Sequence, residues 1–226
     1  RKAIYRAGLG CTLVTGITET DIRKQPLPAF AAPVAADSNW WPAGDRLPDT
    51  LPAGVDRQRL NTAIGKAFQE KDTTHPVRTR AVLVVYRGQL VGEAYGDGYT
   101  ASMPLLGWSM AKSITGALTG VLVKDGRLDP PAPAPVAAWR SAADGREKIT
   151  LKDLLQQVSG LDFEEKYTKP TDATNMLYKA ADMGGFAAAR PLRDAPGSKF
   201  YYSSGNSNII AGIVRQTVGE KEYYLF

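Results

Sequence analysis

The 226-residue sequence predicts an α+β chain on three observations. A β-branched run turns back on itself between Arg80 and Tyr95, apolar residues recur at helical spacing on either side of it, and a Pro- and Ala-rich connector leads into further short helices. Four segments follow: an extended leader over residues 1–55, an α/β region over 56–126, a mostly helical region over 127–199, and a polar turn with a last helix over 200–226.

Arg1 to Gly16 reads either as the stump left after a signal or anchor was trimmed or as a first strand. Cys11 lacks an aliphatic residue three places upstream, where a lipid-modified Cys would have one, and is expected to be a buried thiol. Pro26 to Gly54 has no helical or strand period and is expected to run extended, anchored by Trp40 and Trp41. A helix is predicted from Asp56 to Glu70, with Asp56 as N-cap and Leu60, Ile64 and Ala67/Phe68 facing a sheet. Arg80–Tyr86 and Gln89–Tyr95 form a β-hairpin around Arg87-Gly88.

Ser109 to Lys124 is apolar on nearly every side, which places that helix at the centre of a domain. Asp125-Gly126 ends it, and Arg127 to Lys148 connects onward. Thr150 is the expected N-cap of a helix reaching Gln157. Asp172 to Ala188 is read as one helix with Met176, Leu177 and Ala180 inward. After the Pro196-Gly197 turn, Phe200 to Ser204 is extended and Ser207 to Val218 is helical up to Gly219.

Composition removes several function classes. A single His and a single Cys cannot assemble a zinc cage or a disulfide framework. The same count leaves no ready His base for a Ser nucleophile, so any such chemistry needs another base. The 28 basic and 23 acidic residues are interleaved, which describes a solvated surface rather than a nucleic-acid footprint. No apolar run approaches the ~20 residues of a membrane span.

The chemistry-bearing pattern is Ser109-Met110-Ala111-Lys112. Three positions apart on a helix, a hydroxyl and an amine share one face and can exchange a proton. At a helix N-terminus the unpaired N–H groups favour a developing alkoxide. S-x-x-K alone is a common tetrapeptide, and by itself describes a helix cap with a surface Lys. Here the Lys lies in the first turn of a helix too apolar to face water, where an ammonium needs partners. Tyr202-Ser203-Ser204-Gly205-Asn206-Ser207-Asn208 is by itself a turn and an N-cap. Beside Ser109 and Lys112, Tyr202 offers a second acid/base if a neighbouring Lys lowers its pKa.

Four stretches in order, Trp108–Ile114, Val123–Asp129, Ile149–Leu161 and Pro196–Asn206, resemble the serine β-lactamase and penicillin-binding-protein superfamily, over roughly Arg80 to Gly219. The pattern is most similar to class C-like serine hydrolases: 6-aminohexanoate-dimer hydrolases, esterases and D-amino-acid peptidases. The resemblance implies a β-lactamase-like antiparallel sheet flanked by helices, with an inserted, mostly helical subdomain. It implies Ser109 as acylated nucleophile, Lys112 as the partner that takes or orients its proton, and Tyr202 as a further base that serves the leaving group. The N–H of Ser109 would supply half the oxyanion hole, and Ser204 and Asn206 would bind substrate. It implies a small-molecule amide or ester substrate, no cofactor, no metal, no nucleic acid, and a periplasmic or cell-envelope setting.

The sequence departs from the pattern twice. Ser204 stands where a Tyr-x-Asn motif has its amide, which argues against efficient β-lactam turnover. The third motif, Lys-Thr-Gly or His-x-Gly on a later strand, does not appear before Phe226, so the C-terminal strands are expected from a longer polypeptide or a second chain. Three other readings compete. Gly107-Trp108-Ser109-Met110-Ala111 resembles a nucleophile elbow, but Met103–Leu106 is too short for the preceding strand and His75 lies upstream of the Ser. Asp162, Glu164 and Glu165 offer paired carboxylates, with a solvated loop as the simpler reading. A penicillin-binding-like fold kept as a non-catalytic binding or scaffolding module is the competitor from another class.

Overall fold

The computed structural model describes residues 2–6, 10–14, 18–24 and 39–219. Residues 25–38 of the expected leader and 220–226 of the last segment lie outside the described residues. The chain divides into two compact units, residues 31–106 and residues 1–30 with 107–226. Among the described residues the elements are helices and two two-stranded antiparallel sheets, an α+β composition.

In the unit 31–106, the helix expected from Asp56 forms over Arg57–Ala67, capped by Asp56, whose carboxylate accepts the N–H of Arg59 at 2.8 Å. The hairpin strands are Ala81–Tyr86 and Gln89–Tyr95. Arg87 and Gly88 both adopt positive φ, 50° and 76°, as a tight turn matching the strand twist requires. The helix does pack on the hairpin: a Cβ on Gly92 would lie 2.6 Å from Ile64 Cδ1, so the missing side chain lets Ile64 seat. The expected Trp anchor is corrected for Trp40, which is half exposed with the Arg46 guanidinium 4.1 Å from its ring centroid. His75 is a loop residue, its Nδ1 3.0 Å from Asp72.

In the other unit, Ala3–Arg6 (β1) pairs with Gly10–Leu13 (β2), so the strand reading of the N-terminal stretch holds. Cys11 is exposed, against the expected buried thiol, because it sits on a two-stranded ribbon too thin to bury both faces. Glu19–Lys24 (α1) follows, with Ile22 buried.

The core of this unit is built around Ser204–Val218 (α2), which packs on Met110–Lys124 (α3), Leu151–Leu155 (α4), Asp172–Lys179 (α5) and Met183–Ala188 (α6). Ile209, Ile210, Ile213, Val214 and Val218 of α2 meet Leu122, Trp139, Leu151, Leu154, Phe163 and Met176. The central helix is therefore the last one, and the expected central place of α3 is corrected. On α3 only Thr119 and Leu122 are buried, while Met110, Ile114 and Val121 form a stripe that stays exposed. An apolar composition shows that a helix has faces to cover, not which neighbour covers them.

Two helix boundaries also differ. The single helix expected over Asp172–Ala188 is two, because Ala180 is extended (ψ 132°) and Asp182 caps a new helix by accepting the N–H of Gly185 at 2.8 Å. The last helix starts at Ser204 rather than Ser207, with Ser203 as its N-cap. Thr150 caps α4 as expected, in a reciprocal box with Asp153.

Candidate active site

Ser109 precedes the first residue of α3 with helical φ and ψ of −67° and −9°, so its hydroxyl makes no capping bond. Trp108 just before it takes a left-handed φ of 44°, a strained elbow for a non-Gly residue. The freed hydroxyl lies 2.6 Å from the Tyr202 phenol oxygen, and Lys112 Nζ donates to it from 3.2 Å. Ser109, Lys112 and Tyr202, chosen from separate stretches of sequence, are thus brought together. Since Ser109 Oγ accepts from Lys112, its own hydrogen is available to Tyr202. The Ser109 N–H has no acceptor among the described residues.

A further hydroxyl joins them. Lys112 Nζ donates to Ser204 Oγ at 3.3 Å, and Ser204 in turn gives its N–H and its hydroxyl to Glu165, at 2.8 and 2.5 Å. Tyr167 donates to the same carboxylate at 2.7 Å. Ser109, Lys112, Tyr167 and Ser204 line an open cleft of about 300 Å³, with Trp108, Thr115, Leu177 and Asn208 among its other walls.

Tyr202, bonded to Ser109, and Tyr167, in the cleft wall, are driven apart in acidity. The Lys112 side chain beside it, and the Ser109 hydroxyl, lower the pKa of Tyr202 below the ordinary phenol value. Desolvation, with the Glu165 carboxylate adding, raises that of Tyr167. Of the two, Tyr202 therefore gives up its proton more readily.

The approach to Tyr202 is held from behind. Gln157, at a left-handed φ of 61°, accepts the N–H of Ser203 at 2.8 Å and the Asn206 amide at 3.1 Å, and its own carbonyl accepts the N–H of Tyr201 at 2.9 Å. Ser159 donates to Asn206 Oδ1 at 2.7 Å. Asn206, expected to bind substrate, is only 1% exposed and has no surface to present to a ligand. It is corrected to a buried brace, because starting α2 at Ser204 turns position 206 toward the Gln157–Ser159 turn. Ser204 lines the cleft.

Gly160 makes this brace possible. Its φ is 78°, and a Cβ there would lie 2.1 Å from the carbonyl oxygen of Asp194. Gly160→Ala is expected to destabilise the protein by about 2–4 kcal/mol, combining backbone strain with overpacking. Gly126, at φ 69° with open space around it, carries the strain alone, so Gly126→Ala should cost about 1 kcal/mol. Urea denaturation of both variants checks the difference.

Sequence reasoning missed Glu165, read as solvated, along with Tyr167 and Gln157. Asp162 and Glu164 do make surface ion pairs, with Arg193 and with Lys166 and Lys169. Glu165 carries no local signal that separates it from them, since its partner lies 39 positions away. Among the described residues no three His, Cys, Asp or Glu side chains are grouped to hold a metal, and no helix is long and apolar enough to cross a membrane.

The fold and the Ser-x-x-Lys helix facing a Tyr turn define a β-lactamase-like chain. The Beta-lactamase family model matches residues 64–223, more than half of the sequence, and the chain belongs to that family. A 6-aminohexanoate-dimer hydrolase of Paenarthrobacter ureafaciens is 25% identical over 151 residues, covering 62% of this chain and 38% of that protein. A Bacillus anthracis structure, solved as a candidate 6-aminohexanoate-dimer hydrolase, is 25% identical with a TM-score of 0.49, covering 63% of this chain and 43% of that one. The chain thus spans about two fifths of the length of each.

Proposed function

We propose that the chain carries the acylating centre of a serine hydrolase that cleaves a small-molecule amide or ester through an acyl-enzyme on Ser109. The observation that carries this reading is the Ser109 hydroxyl held between Tyr202 at 2.6 Å and Lys112 at 3.2 Å. The ionised Tyr202 phenol takes the Ser109 proton as Oγ bonds to the carbonyl carbon. The Ser109 N–H donates to the oxyanion. When the tetrahedral intermediate collapses, the bond to the leaving group breaks and the proton on Tyr202 passes to the departing nitrogen or oxygen. Water then attacks the acyl carbon and gives a proton to Tyr202; as the bond from that carbon to Oγ breaks, the Tyr202 proton passes to Oγ, releasing the acid and restoring the Ser109 hydroxyl and the Tyr202 phenolate.

The family membership and the hydrolase relative support the same reading. A fluorophosphonate probe tests it by adding mass to the peptide containing Ser109, with no adduct in Ser109→Ala. A native protein that takes no label would favour a non-catalytic binding module.

The pH dependence follows from the lowered Tyr202 pKa. The active form is the deprotonated phenol, so the labelling rate should rise with pH and reach half its plateau below pH 10, the ordinary phenol value. Lys112 is the main cause of the shift, so Lys112→Ala should move that midpoint upward. A midpoint unmoved by the substitution would separate Lys112 from the ionisation of Tyr202.

A further inference from the structure

Glu165 is bonded to two residues that line the active-site cleft, Ser204 and Tyr167, yet the acyl transfer just described makes no use of it. Its two oxygens take the N–H and the hydroxyl hydrogen of Ser204, at 2.8 and 2.5 Å. A hydroxyl has one hydrogen. With that hydrogen committed to Glu165, Ser204 Oγ presents only lone pairs to its other neighbours, and Lys112 Nζ donates into one of them at 3.3 Å. The bonds therefore run in one direction, from Lys112 through Ser204 to Glu165. The same Lys112 nitrogen is the one that donates to Ser109.

The surroundings keep this arrangement in place. Ser204 is 9% exposed and sits in the first turn of α2, so its backbone cannot follow a moving side chain. Glu165 is held from its own loop by Tyr167, which donates at 2.7 Å, and its N–H donates to the Tyr201 hydroxyl at 3.4 Å. Tyr167 bonds the carboxylate directly, Tyr202 feels its charge, Tyr201 meets Glu165 at its N–H, and Lys112 reaches it through Ser204. Glu164 beside it is taken up by Lys166 and Lys169.

We propose that Glu165 is a positioning residue for acylation: by fixing the Ser204 hydroxyl as an acceptor it holds Lys112 Nζ on the Ser109 hydroxyl. The inference rests on the acyl-transfer reading and adds to it a residue that touches no reacting atom. It also gives Ser204 a purpose. Where a Tyr-x-Asn motif has an amide, this chain has a hydroxyl that relays a carboxylate's pull to the Lys.

The test uses the fluorophosphonate probe on the native chain, Glu165→Gln, Ser204→Ala and the double variant, with the labelling rate separated into a maximal rate and a half-saturating concentration. Gln keeps an acceptor of the same size and removes the charge. The wild type should label at Ser109. Glu165→Gln and Ser204→Ala should each lower the maximal rate about tenfold, the loss expected for a charge-assisted hydrogen bond, with half-saturation within about twofold. The double variant should be no slower than the slower single one, because both break the same link. Melting temperatures near wild type accompany that result, and a merely structural role would not produce it. Rates equal to wild type in either single variant, or losses that multiply in the double, would overturn the inference and leave acylation at Ser109 standing. No labelling of the wild type would overturn both.

Discussion

Ser109→Ala is expected to lower the turnover of an activated ester by at least about 10⁴-fold, the scale of loss when a covalent nucleophile is deleted from a unit that works together. The substitution removes one oxygen from an exposed elbow whose hydroxyl makes no capping bond, so the fold should be unaffected. Tyr202→Phe keeps the ring over Lys112 and removes the base, which should cost about 10²- to 10⁴-fold. Adding Tyr202→Phe to Ser109→Ala should cost nothing more, because the proton that Tyr202 accepts is the Ser109 proton. Steady-state rates with an activated ester, read beside melting curves, separate loss of chemistry from loss of fold.

Trp139→Ala is expected to cause the largest loss of stability, about 3–5 kcal/mol, because a fully buried indole leaves a cavity the helices around it cannot close. Trp139 is 2% exposed, lies within the cluster formed with α2 and α4 to α6, and its indole N–H donates to the carbonyl of Ala188 at 2.8 Å. Trp139→Phe refills most of the volume and removes one donor from a carbonyl that Arg146 Nη1 also reaches at 3.1 Å, so it should cost less, about 1–2 kcal/mol. The order Ala worse than Phe worse than wild type, in denaturant midpoints, checks both contributions.

Elements stabilised by local chemistry were legible in the sequence. The hairpin was, because β-branched strands flank a two-residue turn whose Arg87-Gly88 can take positive φ. The caps at Asp56 and Thr150 were, because a capping carboxylate or hydroxyl acts within three residues. Ser109 and Lys112 were, because helical spacing alone puts them on one face.

What was not legible depends on contacts distant in sequence. Gly205 and Asn206 read as turn residues. They are helical because Ser203 caps them, Phe163 fills the space where a Gly205 side chain would sit, and Ser159 and Gln157 satisfy the Asn206 amide. Ala180-Ala181 favours a continuous helix by propensity, yet the Asp182 cap starts a new one. Glu165 is distinguished from Glu164 only by a partner on another element. The face of α3 that meets α2 likewise could not be chosen from a helix apolar on every side.

Peptide mapping after brief exposure to an activated ester tests the proposed chemistry most directly. Acylation at Ser109, reduced in Lys112→Ala and Tyr202→Phe, is the predicted result. An unmodified Ser109, or an acyl group carried by Lys112 or Tyr202 instead, would contradict it.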